Sequence, residues 1–211
     1  MEIALRPECH TYAGGLGVLA GDVVRSASDM NLPLVAVTLV SRQGYFRQTL
    51  SREGVQHEAL DSWEPSEFAT RLDARIALPL QRRDVWIGGW LYTHESSLGM
   101  RVPVLLLDTD LPDNAPEDRR LTDVLYGGDA LHRLKQQAVL GIGGVRLLHA
   151  LGFRVSTYHL NEGHSALLTP QLLRDFAVRS EDRVAGELPY DLSRVRERCI
   201  FLRRSAEPVR Y

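Results

Sequence analysis

Gly14, Gly15, Gly17 and Gly21 fall within one short stretch, Tyr12-Ala13-Gly14-Gly15-Leu16-Gly17-Val18-Leu19-Ala20-Gly21-Asp22, and a helical spacing follows at once. That pairing limits what the start of this chain can become. The spacing predicts a helix over residues 18–31, with Val18, Leu19, Val23, Ala27 and Met30 apolar at helical intervals. A glycine-rich turn that opens a helix aims bare backbone N–H groups at one point, and the helix dipole adds partial positive charge there. Such a place suits a phosphate or another anion. Glycines serve equally well in tight turns and close helix–strand packing. On pattern alone both readings stay open. The dinucleotide version, G-x-G-x-x-A over residues 15–20, has weaker support. The short segment before the turn contains Pro7, and the next apolar run ends in Ser41-Arg42-Gln43, not in an acid.

Downstream, residues 34–40 form a continuous valine-rich run that suits a strand buried on both faces. Residues 42–48 read as a turn and a short extended piece. Residues 76–80, 85–92 and 102–108 read as strands. The first two form an antiparallel pair across the short polar link Gln81-Arg82-Arg83-Asp84. Residues 129–150 carry the longest helical pattern, interrupted by Gly141, Gly143 and Gly144. Each glycine costs about 1 kcal/mol against alanine in a free helix, so the cluster predicts a close backbone approach. Gly152 ends that helix, residues 153–160 form a strand, and a helix follows over 165–176. This rhythm predicts an α/β doubly wound sheet with an antiparallel insert.

The bulk properties exclude more than they assign. A length of 211 residues allows one large domain or two small ones. A net charge of -2 gives no global field for nucleic acid or an anionic membrane. No apolar run approaches the roughly 18 residues of a membrane span. Cys9 and Cys199 form neither a disulfide framework nor a metal pattern, and a reducing cytoplasm is the simplest compartment.

Two further segments carry chemistry. Asn161-Glu162-Gly163-His164 lies at a strand-to-helix junction, where ligands of open α/β sheets bind. Asn161 is placed to cap the helix, Gly163 to allow a tight turn, and His164 to sit in the first helical turn. The plain alternative is a cap and turn with a half-buried histidine. Tyr126-Gly127-Gly128-Asp129 precedes the long helix, with Asp129 as an N-cap or as part of a hinged loop over a ligand. Asp108 and Asp110 end a strand; no histidine or cysteine cluster supports a metal there, and strand-end aspartates commonly start turns.

Residues 11–22, Arg42-Gln43-Gly44-Tyr45-Phe46, Leu125-Tyr126-Gly127-Gly128-Asp129, Leu140-Gly141-Ile142-Gly143-Gly144-Val145-Arg146 and residues 159–166 together resemble the α-glucan (glycogen, starch or maltodextrin) phosphorylases, most closely the shorter bacterial and archaeal type. The likeness is collinear from about residue 2 to residue 201. It implies a Rossmann-like (GT-B type) fold and a glycosyltransferase reaction. Inorganic phosphate releases glucose 1-phosphate from the end of an α-glucan or maltooligosaccharide. It implies pyridoxal phosphate bound to a lysine of a second, C-terminal domain, its phosphate exchanging protons with the substrate phosphate. It implies that the loop Gly14, Gly15, Leu16 and Gly17 presents N–H groups to phosphate and glucosyl unit. By the same likeness His164 contacts the glucosyl residue, with Asn161 and Glu162 beside it, and Tyr126, Gly127, Gly128 and Asp129 gate the site. No metal, nucleic acid or membrane is implied, and the full-length family can form homo-oligomers.

The chain departs from that pattern at both ends. Met1-Glu2-Ile3-Ala4-Leu5 matches only the second half of the family's opening strand. Residues 1–201 are therefore expected to form an incomplete N-terminal phosphorylase domain. Residues 202–211 read as a basic, unpatterned tail of the kind a shifted or truncated reading frame produces, with the cofactor domain absent. The expectation is exposed strand edges, exposed apolar surface and no phosphorylase activity from this chain alone. The plain alternatives are a non-catalytic carbohydrate- or phosphate-binding module and a nucleotide-sugar glucosyltransferase.

Overall fold

The structure is a computed structural model and describes residues 1–178, 181 and 188–202. Its elements, in order, are α1 (Gly15–Asp29), β1 (Ala36–Leu39), β2 (Arg47–Leu50), β3 (Gln56–Ala59), β4 (Thr70–Arg71), β5 (Ile76–Leu80), β6 (Arg83–Glu95), β7 (Arg101–Asp108), α2 (Pro116–Arg119), α3 (Ala130–Ala138), α4 (Gly144–Ala150), β8 (Tyr158–Asn161), α5 (Leu168–Asp175), α6 (Leu192–Glu197) and β9 (Cys199–Leu202). The chain is α/β, with a mixed main sheet in the order β1-β7-β6-β4 and β5 also paired to β6. β1 and β7 run parallel, and β6 is antiparallel to β4, β5 and β7. β8 and β9 form a separate parallel pair.

Side chains alternate across a strand, and the core divides accordingly. Val104 and Leu106 of β7 pack with Val24 and Ala27 of α1 on one face. Leu39 and Leu107 pack with Val139, Leu140 and Leu147 on the other. A third cluster joins Tyr158 and Leu160 of β8 to Val145, Leu168, Leu172 and Val195. None of the helices is long and apolar enough to cross a membrane among the described residues.

The glycine cluster behaves as its spacing predicts. Between α3 and α4 the helix widens into a π turn over Val139–Gly143. A Cβ on Gly141 would lie 2.5 Å from the amide nitrogen of Leu168, and one on Gly143 would lie 2.7 Å from Ile87 Cδ1. The α5 backbone and β6 therefore reach the helix only because these positions lack side chains. Gly152, at φ 81°, ends α4 in the left-handed conformation.

Several boundaries differ. α1 begins at Gly15, three residues ahead of the apolar pattern, because the loop glycines themselves enter the first turn. β6 runs from Arg83 to Glu95, longer than the predicted strand, since its later half pairs with β7. β8 is limited to Tyr158–Asn161, where β9 supplies a partner. The β2–β3 hairpin was not legible, because every residue in it is exposed and no apolar alternation marks it. Residues 1–5 are buried but join no strand ladder among the described residues, so they do not form the expected half strand. From residue 203 onward, the tail expected at 202–211 lies outside the described residues.

Candidate functional site

The glycine loop, the 126–129 loop and the 161–164 segment come together beyond β1 and β8, and Glu2 ties the first two. Its Oε2 accepts from the N–H groups of Ala13 at 2.7 Å and Gly14 at 3.1 Å. Its Oε1 accepts from the Tyr126 hydroxyl at 2.8 Å. The Tyr126 ring lies against His164, with centroids 5.4 Å apart, and edge-on to Tyr45 at 6.3 Å. Asn161 Nδ2 reaches the Leu16 carbonyl at 3.5 Å, a long contact between β8 and the first turn of α1. Gly17 is buried against Glu2: a Cβ there would sit 2.9 Å from Oε2. No motif in the sequence marks Glu2. Its one signal is a carboxylate inside the otherwise apolar run Met1-Glu2-Ile3-Ala4-Leu5.

Glu2 divides the loop donors into two sets. Ala13 and Gly14 give their N–H groups to the protein's own carboxylate, while Gly17 donates to the Gly14 carbonyl at 3.0 Å. Among the described residues nothing accepts from the N–H groups of Gly15 and Leu16, the first two positions of α1. The helix has no acidic residue in its first turn and no side-chain cap. Two donors and the positive end of a 15-residue helix therefore remain for an anion.

At the second junction the roles change. Asn161 closes β8 and does not cap a helix; its buried Oδ1 has no partner among the described residues. The left-handed turn falls on Glu162, at φ 62°, and not on Gly163. A non-glycine residue there is strained by its Cβ. His164 sits in a single 3₁₀ turn, Gly163–Ser165, half-buried. Burial, then the nearby Met1 ammonium, hold its imidazole below the ordinary histidine value, against opposing pulls from Glu2 and Glu162. His164 is neutral at pH 7 and offers one donor and one acceptor. Burial and the hydrogen bond to Glu2 push the Tyr126 hydroxyl well above its ordinary range, so it stays a proton donor.

In the 126–129 loop, Tyr126 at φ 59° and Gly128 at φ 70° both take the left-handed conformation. A Cβ on Gly128 would lie 2.6 Å from the His132 ring. Asp129 is the N-cap of α3 and accepts from the His132 amide at 2.8 Å. The strand-end aspartates are structural. Asp108 is fully buried and accepts from Arg42 at 2.5 Å, Arg71 at 2.6 Å and the Trp90 indole at 2.8 Å. Burial alone would raise its carboxyl; the two guanidiniums, the indole and the Asp110 amide hold it below the usual range. Asp110 pairs with Arg119 at 2.6 Å. No group of three or more metal-ligating side chains is found among the described residues.

No family model matches the chain. Among curated proteins it is 39% identical over 173 residues to the maltodextrin phosphorylase of Thermococcus litoralis, covering 79% of this chain and 20% of that protein. It is 40% identical over 192 residues to the glycogen phosphorylase of Mycobacterium tuberculosis, covering 83% and 21%. To the glycogen phosphorylase of Aquifex aeolicus it is 33% identical over 165 residues, covering 74% and 23%. The chain spans about a fifth of the length of these curated relatives, and within that span it belongs to the glycogen and maltodextrin phosphorylase family.

Proposed function

We propose that this chain forms one wall of an α-1,4-glucan phosphorylase site, in a Rossmann-like (GT-B type) domain. The reaction is release of glucose 1-phosphate from a glucan chain end by inorganic phosphate. The observation that carries the reading is the meeting of the three segments, two tied by Glu2 and the third held by Tyr126 against His164, with the Gly15 and Leu16 N–H groups left for an anion. In this reading those two groups and the α1 dipole bind phosphate oxygens. Neutral His164 hydrogen-bonds a glucosyl hydroxyl, and Asn161 and Glu162 border that contact. Tyr126, Gly127, Gly128 and Asp129 close over the sugar. The two left-handed residues of that loop give it a backbone that can be re-set. The setting is a cytoplasmic carbohydrate metabolism.

Pyridoxal phosphate, which the family likeness implies, does not fit the residues present. Its imine requires a lysine, and the chain has one, Lys135, half-buried in the last turn of α3. No hydrogen bond or ion pair joins Lys135 to the loop among the described residues. The isolated chain is expected to bind but not to turn over.

The test is amide-resolved NMR titration with inorganic phosphate, then maltoheptaose. Shifts at Gly15 and Leu16 with phosphate, and at residue 164 with the sugar, with only the sugar response lost in His164→Ala, support the reading. Absence of phosphate shifts at those two amides refutes it. Glucose 1-phosphate formation by the chain with added pyridoxal phosphate would refute the binding-only part. A nucleotide sugar moving the same amides more strongly than phosphate would point to a glucosyltransferase.

A further inference from the structure

The N–H groups of Ala13, Gly14, Gly15 and Leu16 follow one another along the glycine loop, and the protein fills half of them itself. The Glu2 carboxylate takes Ala13 and Gly14. It is 7% exposed, and its surroundings fix it. The residues after it are tied down, Ile3 N–H to the Thr11 carbonyl at 2.9 Å and Ala4 N–H to the Gly17 carbonyl at 2.8 Å. The Tyr126 hydroxyl holds the second carboxylate oxygen. Gly17 leaves the room for the first, since a Cβ there would sit 2.9 Å from Oε2. Glu2 therefore leaves the loop only by breaking three hydrogen bonds made to a charged group. Carboxylate and phosphate oxygens suit the same N–H donors, so the loop already shows its anion chemistry on the protein's own side chain.

The other flank of the loop is filled too. The N–H groups of Gly17 and Val18 both donate to the Gly14 carbonyl, at 3.0 and 3.2 Å. Gly15 and Leu16 are thus a pair with engaged donors before and after it. Neighbouring Cα atoms lie about 3.8 Å apart, so such a pair matches the oxygens of one phosphate group. In a diphosphate the second phosphoryl group hangs from the first by a single bridging oxygen and reaches for the next donors along. On one flank those donors are covered by the Glu2 charge, and on the other they are turned into the first turn of α1. Like charges repel, and more strongly where burial thins the water between them. Donor count and charge point the same way, toward a single phosphate group.

We propose that Glu2 is the specificity-determining residue of the glycine loop: by standing where a second phosphoryl group would bind, it admits one phosphate group and excludes diphosphates, the diphosphate of a nucleotide sugar among them. The inference rests on the reading of Gly15 and Leu16 as phosphate donors and says which phosphate compounds that pair accepts. Glu2 acts through the loop and touches no reacting atom. Discrimination of this kind works against the wrong ligand, by like charge and by donors already taken, and needs no added contact to the right one.

The test compares inorganic phosphate with pyrophosphate, without divalent cations, by amide-resolved NMR titration of the full chain at pH 8. At that pH the Met1 amine, lowered by burial to about 6, carries no charge to attract either anion. Pyrophosphate is expected to bind the unaltered chain no more tightly than phosphate, despite its greater charge, and to leave the Ala13 and Gly14 amides unmoved. Glu2→Ala frees both donors. The preference for phosphate over pyrophosphate should then fall at least tenfold, with pyrophosphate shifts appearing at Ala13 and Gly14. Glu2→Gln keeps an oxygen on those donors and removes only the charge, so a fall of at least threefold is expected; it carries the test if the alanine variant does not fold. Asp22→Asn removes the same charge from an exposed position on α1 and should leave the preference within twofold. A preference unchanged in the Glu2 variants overturns the proposal. So does tighter pyrophosphate binding by the unaltered chain, or an equal fall in Asp22→Asn, which would assign the effect to net charge. If phosphate still moves Gly15 and Leu16 in those cases, the proposed function stands and only the role of Glu2 falls; if phosphate moves neither amide, both fall.

Discussion

On its β7 side, β1 is paired residue by residue, from Ala36 opposite Val104 to Leu39 opposite Leu107. Beyond it lie a filled core and a buried carboxylate held by two arginines and an indole. On its other side β1 pairs with nothing among the described residues, and β8 and β9 stand across a cavity. There Ile200 and Phe201 of β9 are more than half exposed. Apolar side chains stand on both sides. What differs is whether the described residues supply a paired neighbour. The first side should therefore punish small changes, while the second should tolerate them.

The largest contrast is expected between Asp108→Asn and Ile200→Ser. Removing the carboxylate leaves Arg42 and Arg71 facing each other over Trp90, at a cost of about 3–5 kcal/mol. Ile200→Ser should stay within about 0.5 kcal/mol, as for other exposed sites. Urea unfolding of both variants checks this; equal losses would break the comparison.

Gly141→Ala comes next. The new methyl would meet backbone atoms of Leu167 and Leu168, which cannot rotate aside, so about 1–3 kcal/mol is expected with a displaced α5. Gly163→Ala meets nothing within 4 Å and has no positive φ. It should be neutral or stabilise by up to about 1 kcal/mol through the unfolded chain. Thermal melts of the pair would show it.

Acidification probes the seam between the two sides. The Met1 ammonium is lowered from 8.0 to about 6 and His164 is lowered too, both chiefly by burial. The unfolded chain binds these protons first, so stability should be full above pH 8 and fall as pH drops toward 6, by about 2 kcal/mol. Acetylating the α-amino group should remove most of the slope, and His164→Gln the rest. A flat profile in the unmodified chain would contradict the burial of both groups.

The smallest expected loss at the seam itself is that of Glu2→Gln. The amide can keep its oxygen on the loop N–H groups and donate to the Tyr126 oxygen, so what is lost is the carboxylate charge behind three hydrogen bonds. About 1–2 kcal/mol is expected, with faster amide exchange at Ala13 and Gly14. Unchanged exchange would remove Glu2 as the tie between the loops.

Periodicity made the long elements readable. The valine run of β1, the β5–β6 pair, β7 and the glycine-broken helix all carry patterns that only one local structure satisfies. The hairpin β2–β3 carried none, because nothing in it is buried. The site was legible as segments and not as an arrangement. Asn161 and Gly163 have the residue types of a cap and a turn, yet pairing with Leu202 of β9 keeps Asn161 in β8, and the left-handed position falls on Glu162. Asp108 has the type of a ligand, and two arginines distant in sequence made it a structural anion.

The sequence by itself determined the α/β class, the kinship, and the three segments that meet at the site, since local spacing and residue type carry those. Only the tertiary structure decided that Glu2 takes two of the loop donors and leaves Gly15 and Leu16, and that β1 and β8 line one cavity. Both depend on contacts between residues far apart in the chain, whose partners no local pattern records.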